Sequence, residues 1–151
     1  MIFEDKFSKK QEDMILLALE YFSKVKVKTD YIYIYASYET MYSFDVFCKV
    51  STGKIEKLHE LSVVNFSEEQ LDNLIFSVLK IGNQDLQEIH KICIEYNRPM
   101  PTQIKLIYDN VNNKVHADYS YDLFYSNSDT LTSFDIFNQW YEEVKAEIEN
   151  K

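Results

Sequence analysis

Between Lys114 and Phe124 the chain alternates strictly between two sides. Val115, Ala117, Tyr119, Tyr121 and Leu123 fall on one, and His116, Asp118, Ser120 and Asp122 on the other. Successive side chains of an extended backbone point in opposite directions, so this period of two predicts a strand with one buried and one wet face. The apolar side is assigned to the core. The polar side, with its two carboxylates, is assigned to solvent.

The remaining periodicities place the other elements around that strand. From Gln11 to Lys24 apolar residues at Met14, Leu17, Ala18, Tyr21 and Val25 predict a helix, broadened by Ile15, Leu16, Leu19 and Phe22. Tyr31–Ala36 and Ser43–Val50 read as strands, being β-branched, aromatic or alternating. Ser51-Thr52-Gly53-Lys54 is a hairpin turn, and Ile55–Leu61 the returning strand. Ser67-Glu68-Glu69-Gln70 fits a capping box, with Phe66 and Leu71 as its hydrophobic staple. The helix it opens is predicted to stop at Gly82, and a second to run from Gln84 to Tyr96. Pro99 and Pro101 end that helix. Gln103–Tyr108 and Val115–Phe124 form a second hairpin around Asp109–Asn113. A last helix spans Thr132–Glu149, with Phe134, Phe137, Tyr141, Val144 and Ile148 inside and Ile136 and Trp140 on another flank. The order is α-βββ-αα-ββ-α. Short connections favour antiparallel pairing, so the expectation is one α+β domain over residues 1–151, with about five strands and helices packed on the sheet.

Composition narrows the function classes. A chain of 151 residues, 46% hydrophobic and with only two glycines and two prolines, can bury a core and is not a linker or a disordered tract. It carries 16 basic and 25 acidic side chains, a net charge of −9. Such a surface repels phosphate backbones, which argues against direct nucleic-acid binding and suits docking on a basic partner. Met1-Ile2-Phe3-Glu4-Asp5 lacks the positive region of a signal peptide, and the apolar run Met14–Leu19 is too short to span a bilayer, so a cytoplasmic location is expected.

Chemistry-bearing motifs are sparse. His59, His90 and His116 lie on separate elements without metal-ligand spacing, and no metal or cofactor is expected. Gly53 and Gly82 stand alone, so no phosphate-cradling loop exists. Cys48 and Cys93 read as reduced, buried residues, although either could still meet a histidine in space and act as a nucleophile. Asp118 and Asp122 would lie about 13 Å apart along a strand, wide even for an inverting carboxylate pair. They read as surface charge. From Val115 onward eight acidic residues face two lysines, and tyrosines and a tryptophan are interspersed with them. That mixture suits a protein-binding surface, where aromatic anchors supply affinity and charge supplies steering. A tyrosine stripe, Tyr31, Tyr33 and Tyr35, is a second candidate surface unless a helix covers it.

The segment Ile104-Lys105-Leu106-Ile107-Tyr108, followed by Lys114-Val115-His116-Ala117-Asp118-Tyr119-Ser120-Tyr121-Asp122, resembles the YezG-like immunity protein family. In that family a strand, a turn and a strand with an Asp-Tyr-x-Tyr-Asp pattern precede a C-terminal helix bearing Trp or Tyr; Trp140 and Tyr141 stand there in this chain. The frequent aromatic at the start of the first hairpin strand has no counterpart at Pro101 or Thr102. The resemblance implies an intracellular antitoxin, not an enzyme, that binds and neutralises a secreted polymorphic toxin, often a nuclease. On this reading the partner-binding residues are His116, Asp118, Asp122, Trp140, Glu143 and Glu147. Two readings from other classes stand beside it: a small hydrolase or transferase built on Cys48 or Cys93, and a self-associating adaptor using the tyrosine stripe.

Overall fold

A computed structural model describes residues 2–150. Helix α1 (Phe3–Val25) begins well before Gln11. Phe3 and Phe7 lie one turn apart, stack with ring centroids 5.2 Å apart, and pack against Tyr96 and Tyr119. The turns before Gln11 are thereby anchored. Lys26 ends the helix at φ 59°, returning its N–H to the Phe22 and Ser23 carbonyls, a position glycine more often fills.

Strands β1 (Thr29–Tyr38), β2 (Tyr42–Val50) and β3 (Ile55–Lys57) follow in antiparallel pairing, with Gly53 at φ 105° in the second turn. The returning strand expected through Leu61 stops at Lys57. There Glu60 accepts the Lys57 N–H and the chain coils into a 3-10 turn, Leu58–Glu60, which drops Leu58 into the core.

Helix α2 (Glu68–Glu95) opens at the predicted capping box: Ser67 accepts the Gln70 N–H, and the Gln70 side chain accepts the Ser67 N–H. Two helical segments follow β3, as the order anticipates, but they divide before the capping box rather than at Gly82. The expected break there is wrong; Glu68–Glu95 is one helix, about 42 Å long at the standard rise. Gly82 is a packing residue. A Cβ at that position would overlap the Phe44 ring, so its absence lets α2 lie close on β2.

The second hairpin pairs β4 (Gln103–Asp109) with β5 (Lys114–Ser120) around a turn in which Asp109 accepts the N–H groups of Val111 and Asn112. Helix α3 (Ser133–Glu149) is capped by Thr132, with Asp135 reciprocating.

The result is a single α+β domain around a five-stranded antiparallel sheet of order β3-β2-β1-β4-β5. One face carries Ile32, Ile34, Val46, Cys48, Ile104 and Leu106 against Met14, Phe22, Leu86 and Ile89 of α1 and α2. The opposite face carries Tyr33, Tyr35, Phe47 and Ile55 against Ile136, Phe137, Trp140 and Tyr141 of α3. Covering of the tyrosine stripe thus holds for Tyr33 and Tyr35, which are buried, while Tyr31 is half-buried beside them. This removes the stripe as a self-association surface.

The inner stripe of α3 needs correcting. Phe134 is exposed, and Ile136 and Trp140 are buried. The Phe47 ring sits at the centre of this layer and engages Phe137, Trp140 and Tyr141 together, which turns the helix away from Phe134.

Candidate functional site

Helix α3 lies along β2 and β3. The β4–β5 side of the same sheet face is roofed only at its inner margin, where Lys105 crosses the Trp140 ring with its Nζ 5.1 Å from the centroid. Cross-strand register sets Asp118 opposite Lys105 and His116 opposite Ile107. In antiparallel strands directly opposed side chains share a face, so His116 and Asp118 stand on this open shelf. Their side chains are 68% and 69% exposed, with His116 Nε2 and Asp118 Oδ2 3.3 Å apart. Burial pushes the Lys105 ammonium below the usual range, while the Glu143 and Asp118 carboxylates pull it back up. Lys105 is therefore flanked by α3 on one side and β5 on the other. Glu147, exposed on the same helix, lies close enough to Tyr33 to oppose ionisation of its phenol.

Four of the six residues expected at a partner surface, His116, Asp118, Glu143 and Glu147, accordingly border one shelf. Asp122 does not share the strand alternation. Pairing ends at Ser120, and the Thr102 hydroxyl donates to the Asp122 and Ser120 carbonyls, turning the chain. Its side chain is exposed beyond the shelf's end. Trp140 is a correction: at 7% exposure, with ring centroids 5.8 Å from Tyr33 and 5.0 Å from Phe47, it is packed under α3 at the shelf's inner margin and presents no contact surface.

The apolar side of the β5 alternation is also corrected. It was expected in the core, yet Val115, Tyr119, Tyr121 and Leu123 are all exposed. β5 is the outermost strand, and α1 reaches it through Phe7 and Gln11, which meet Tyr119 by ring contact and by a 2.9 Å hydrogen bond. Ala117 alone packs on the α1–α2 core from the strand's inner side. Sequence reasoning missed Lys105, the cation that links the two acidic elements. Its signal was the register of the hairpin, which alternation alone does not supply.

Cys48 and Cys93 are buried and unbridged, as expected. Burial pushes the Cys48 thiol up to about 12 and raises that of Cys93. Such thiols stay protonated at neutral pH, the setting of a structural rather than a nucleophilic cysteine. His90 accepts or donates a 2.7 Å hydrogen bond with the Tyr42 hydroxyl, and His59 sits exposed on the 3-10 turn. Among the described residues no group of three or more His, Cys, Asp or Glu is placed to hold a metal ion, and no helix is long and apolar enough to cross a membrane. No family model matches the chain, and no curated protein matches it.

Proposed function

We propose that this chain is a cytoplasmic immunity protein that binds a secreted polymorphic toxin of its own cell stoichiometrically and neutralises it without turnover. The observation that carries the reading is the shelf: Asp118, Glu143 and Glu147 stand exposed around a part of the sheet face that α3 leaves open, on a chain of net charge −9. A nuclease toxin must present basic groups to phosphates, and an acidic shelf meets such a surface with electrostatic steering. The resemblance of the β4–β5 hairpin to YezG-like immunity proteins points the same way. His116, Asp118, Glu143 and Glu147 would form the contact, Asp122 would flank it, and Trp140 would hold Lys105 at the shelf's inner margin.

The test begins with the gene immediately upstream. Its C-terminal domain, toxic when expressed alone, should become harmless on co-expression with this chain. Asp118→Lys combined with Glu143→Lys should lower the association rate at least about tenfold at low salt, with little effect on folding. Protection and kinetics that are indifferent to both reversals would remove the shelf from the interface.

A further inference from the structure

We propose that the outer edge of β5 is the seam of a homodimer, in which a second copy of this chain pairs antiparallel to it about a two-fold axis at Ala117. The inference rests on the two edges of the sheet being treated in opposite ways. At the two ends of β4 Tyr38 donates its N–H to the Thr102 carbonyl and Asn110 donates to the Asp30 carbonyl, so even-numbered positions along the strand bond toward β1, although the Thr102 N–H, just outside it, turns to the Ser120 carbonyl. Odd-numbered positions therefore bond toward β5, to Lys114, His116, Asp118 and Ser120. The N–H and C=O groups of Val115, Ala117 and Tyr119 point out of the sheet.

On the opposite side the N–H groups of Ile55, Lys57 and Val46 are closed. Val50 bonds to the Lys54 carbonyl, which leaves Ile55 and Lys57 facing outward along β3. Glu149 of α3 accepts the Ile55 N–H at 2.9 Å, Lys145 donates to its carbonyl at 3.5 Å, and Glu60 accepts the Lys57 N–H at 2.7 Å. Where β2 runs on past the end of β3, the Asp45 carboxylate takes the Val46 N–H. Among the described residues no side chain does this for Val115, Ala117 or Tyr119. The chain also leaves the edge clear, because Phe124 and Ser126 bond to Glu39 at the far end of β1. β5 has seven residues and neither proline nor a register shift, two of the devices that blunt an edge; its charged residues, Lys114 and Asp118, stand at even positions that bond inward to β4.

The occupant follows from the strand's own sequence. Ala117 is the midpoint of Lys114–Ser120. Antiparallel pairing about it joins the outward groups of Val115, Ala117 and Tyr119 to those of Tyr119, Ala117 and Val115 in the second copy. On the shelf side, His116 then faces Asp118 of the second copy, twice. On the α1 side, Val115, 54% exposed, is covered by Tyr119 of the second copy. An imidazole N–H donating to a carboxylate, and an aromatic against a β-branched residue, are favourable cross-strand pairs. The strand holds one lysine and one aspartate, so the seam is locally neutral on an otherwise acidic chain. A two-fold axis normal to the sheet keeps both α3 helices on one face and merges the two shelves.

Sedimentation equilibrium of the purified chain, from micromolar to millimolar concentration, tests this without any toxin. The expected result is a reversible dimer. Ala117→Pro, which removes an outward N–H and no bond within the sheet, should give a monomer with an unchanged circular dichroism spectrum. His116→Asp alone sets two carboxylates against each other and should weaken the dimer about tenfold. The exchange His116→Asp with Asp118→His keeps the net charge and restores the facing pairs, so it should recover most of that loss. A wild-type chain that is monomeric throughout overturns the proposal. So does a dimer that survives Ala117→Pro, or an exchange variant no better than His116→Asp.

Discussion

Asp45 offers a test of the sheet's interior that needs no partner. It lies on the α3 side of β2, and its carboxyl is pushed up to about 6, chiefly by burial; the Val46 N–H, Lys57 and His59 pull the other way. In the unfolded chain the same group titrates near 4. Between those values the folded state holds a proton that the unfolded state has lost, so this residue makes stability fall as pH rises from about 4 to about 6. A displacement of about two pH units corresponds to roughly 3 kcal/mol once the group is ionised in both states, which we take as an upper figure. Asp45→Asn removes the ionisation but keeps an oxygen for the Val46 N–H, now bonded at 2.9 Å. Urea unfolding of the two proteins from pH 4 to pH 8 is the assay. Asp85, also raised to about 6 by burial, titrates in both proteins and cancels in the difference. The two stabilities should coincide near pH 4, and the variant should lead by about 2–3 kcal/mol at pH 7. A gap independent of pH, or a variant less stable at pH 7, would refute the assignment of burial as the dominant influence.

Two further predictions concern packing. Phe47→Ala empties the centre of the α3 layer, where the ring stacks on Tyr33 at 4.5 Å and is fully buried; it should cost about 3–5 kcal/mol in urea unfolding. A loss under about 1 kcal/mol would mean that α3 is held elsewhere. For Gly82→Ala, helix propensity alone predicts a gain of about 1 kcal/mol. Overlap with the Phe44 ring predicts a net loss of about 1–3 kcal/mol instead, so the sign of the change in thermal midpoint decides between them.

What could be read ahead of the structure was whatever is encoded over a few neighbouring residues. The Ser67 capping box, the Gly53 turn and the alternation along β2 are local, and each lies where its spacing put it. The early end of β3 is local too, since Glu60 caps Lys57 three residues away, but the other failures depend on a partner distant in sequence. A lone glycine in a helical pattern signals a stop or a close approach with equal force, and only the Phe44 ring decides which. The two possible stripes of α3 share Phe137 and Tyr141, so choosing between Phe134 and Trp140 required knowing that Phe47 sits opposite. Alternation along β5 separates two faces correctly but says nothing of the strand's place in the sheet. An edge position turned a nominal core face into an exposed one. The site was legible to the same degree: acid and aromatics were correctly seen to cluster near the C-terminus, whereas burial of Trp140 and the bridging place of Lys105 came from tertiary register.

The closure of β3 by Glu149, Lys145 and Glu60 has a consequence for how far this chain can assemble. Strand addition propagates only when each unit offers two free edges, one to receive and one to extend. Here one flank is already saturated by side chains of the molecule itself. Edge-to-edge association is therefore expected to be isologous and to stop at two, since the outward N–H groups of Ile55, Lys57 and Val46 on the far side of each copy are already bonded. A protein rich in tyrosine and β-branched strands carries the raw material for fibres. Three side chains at a single three-residue strand are enough to make that growth terminate.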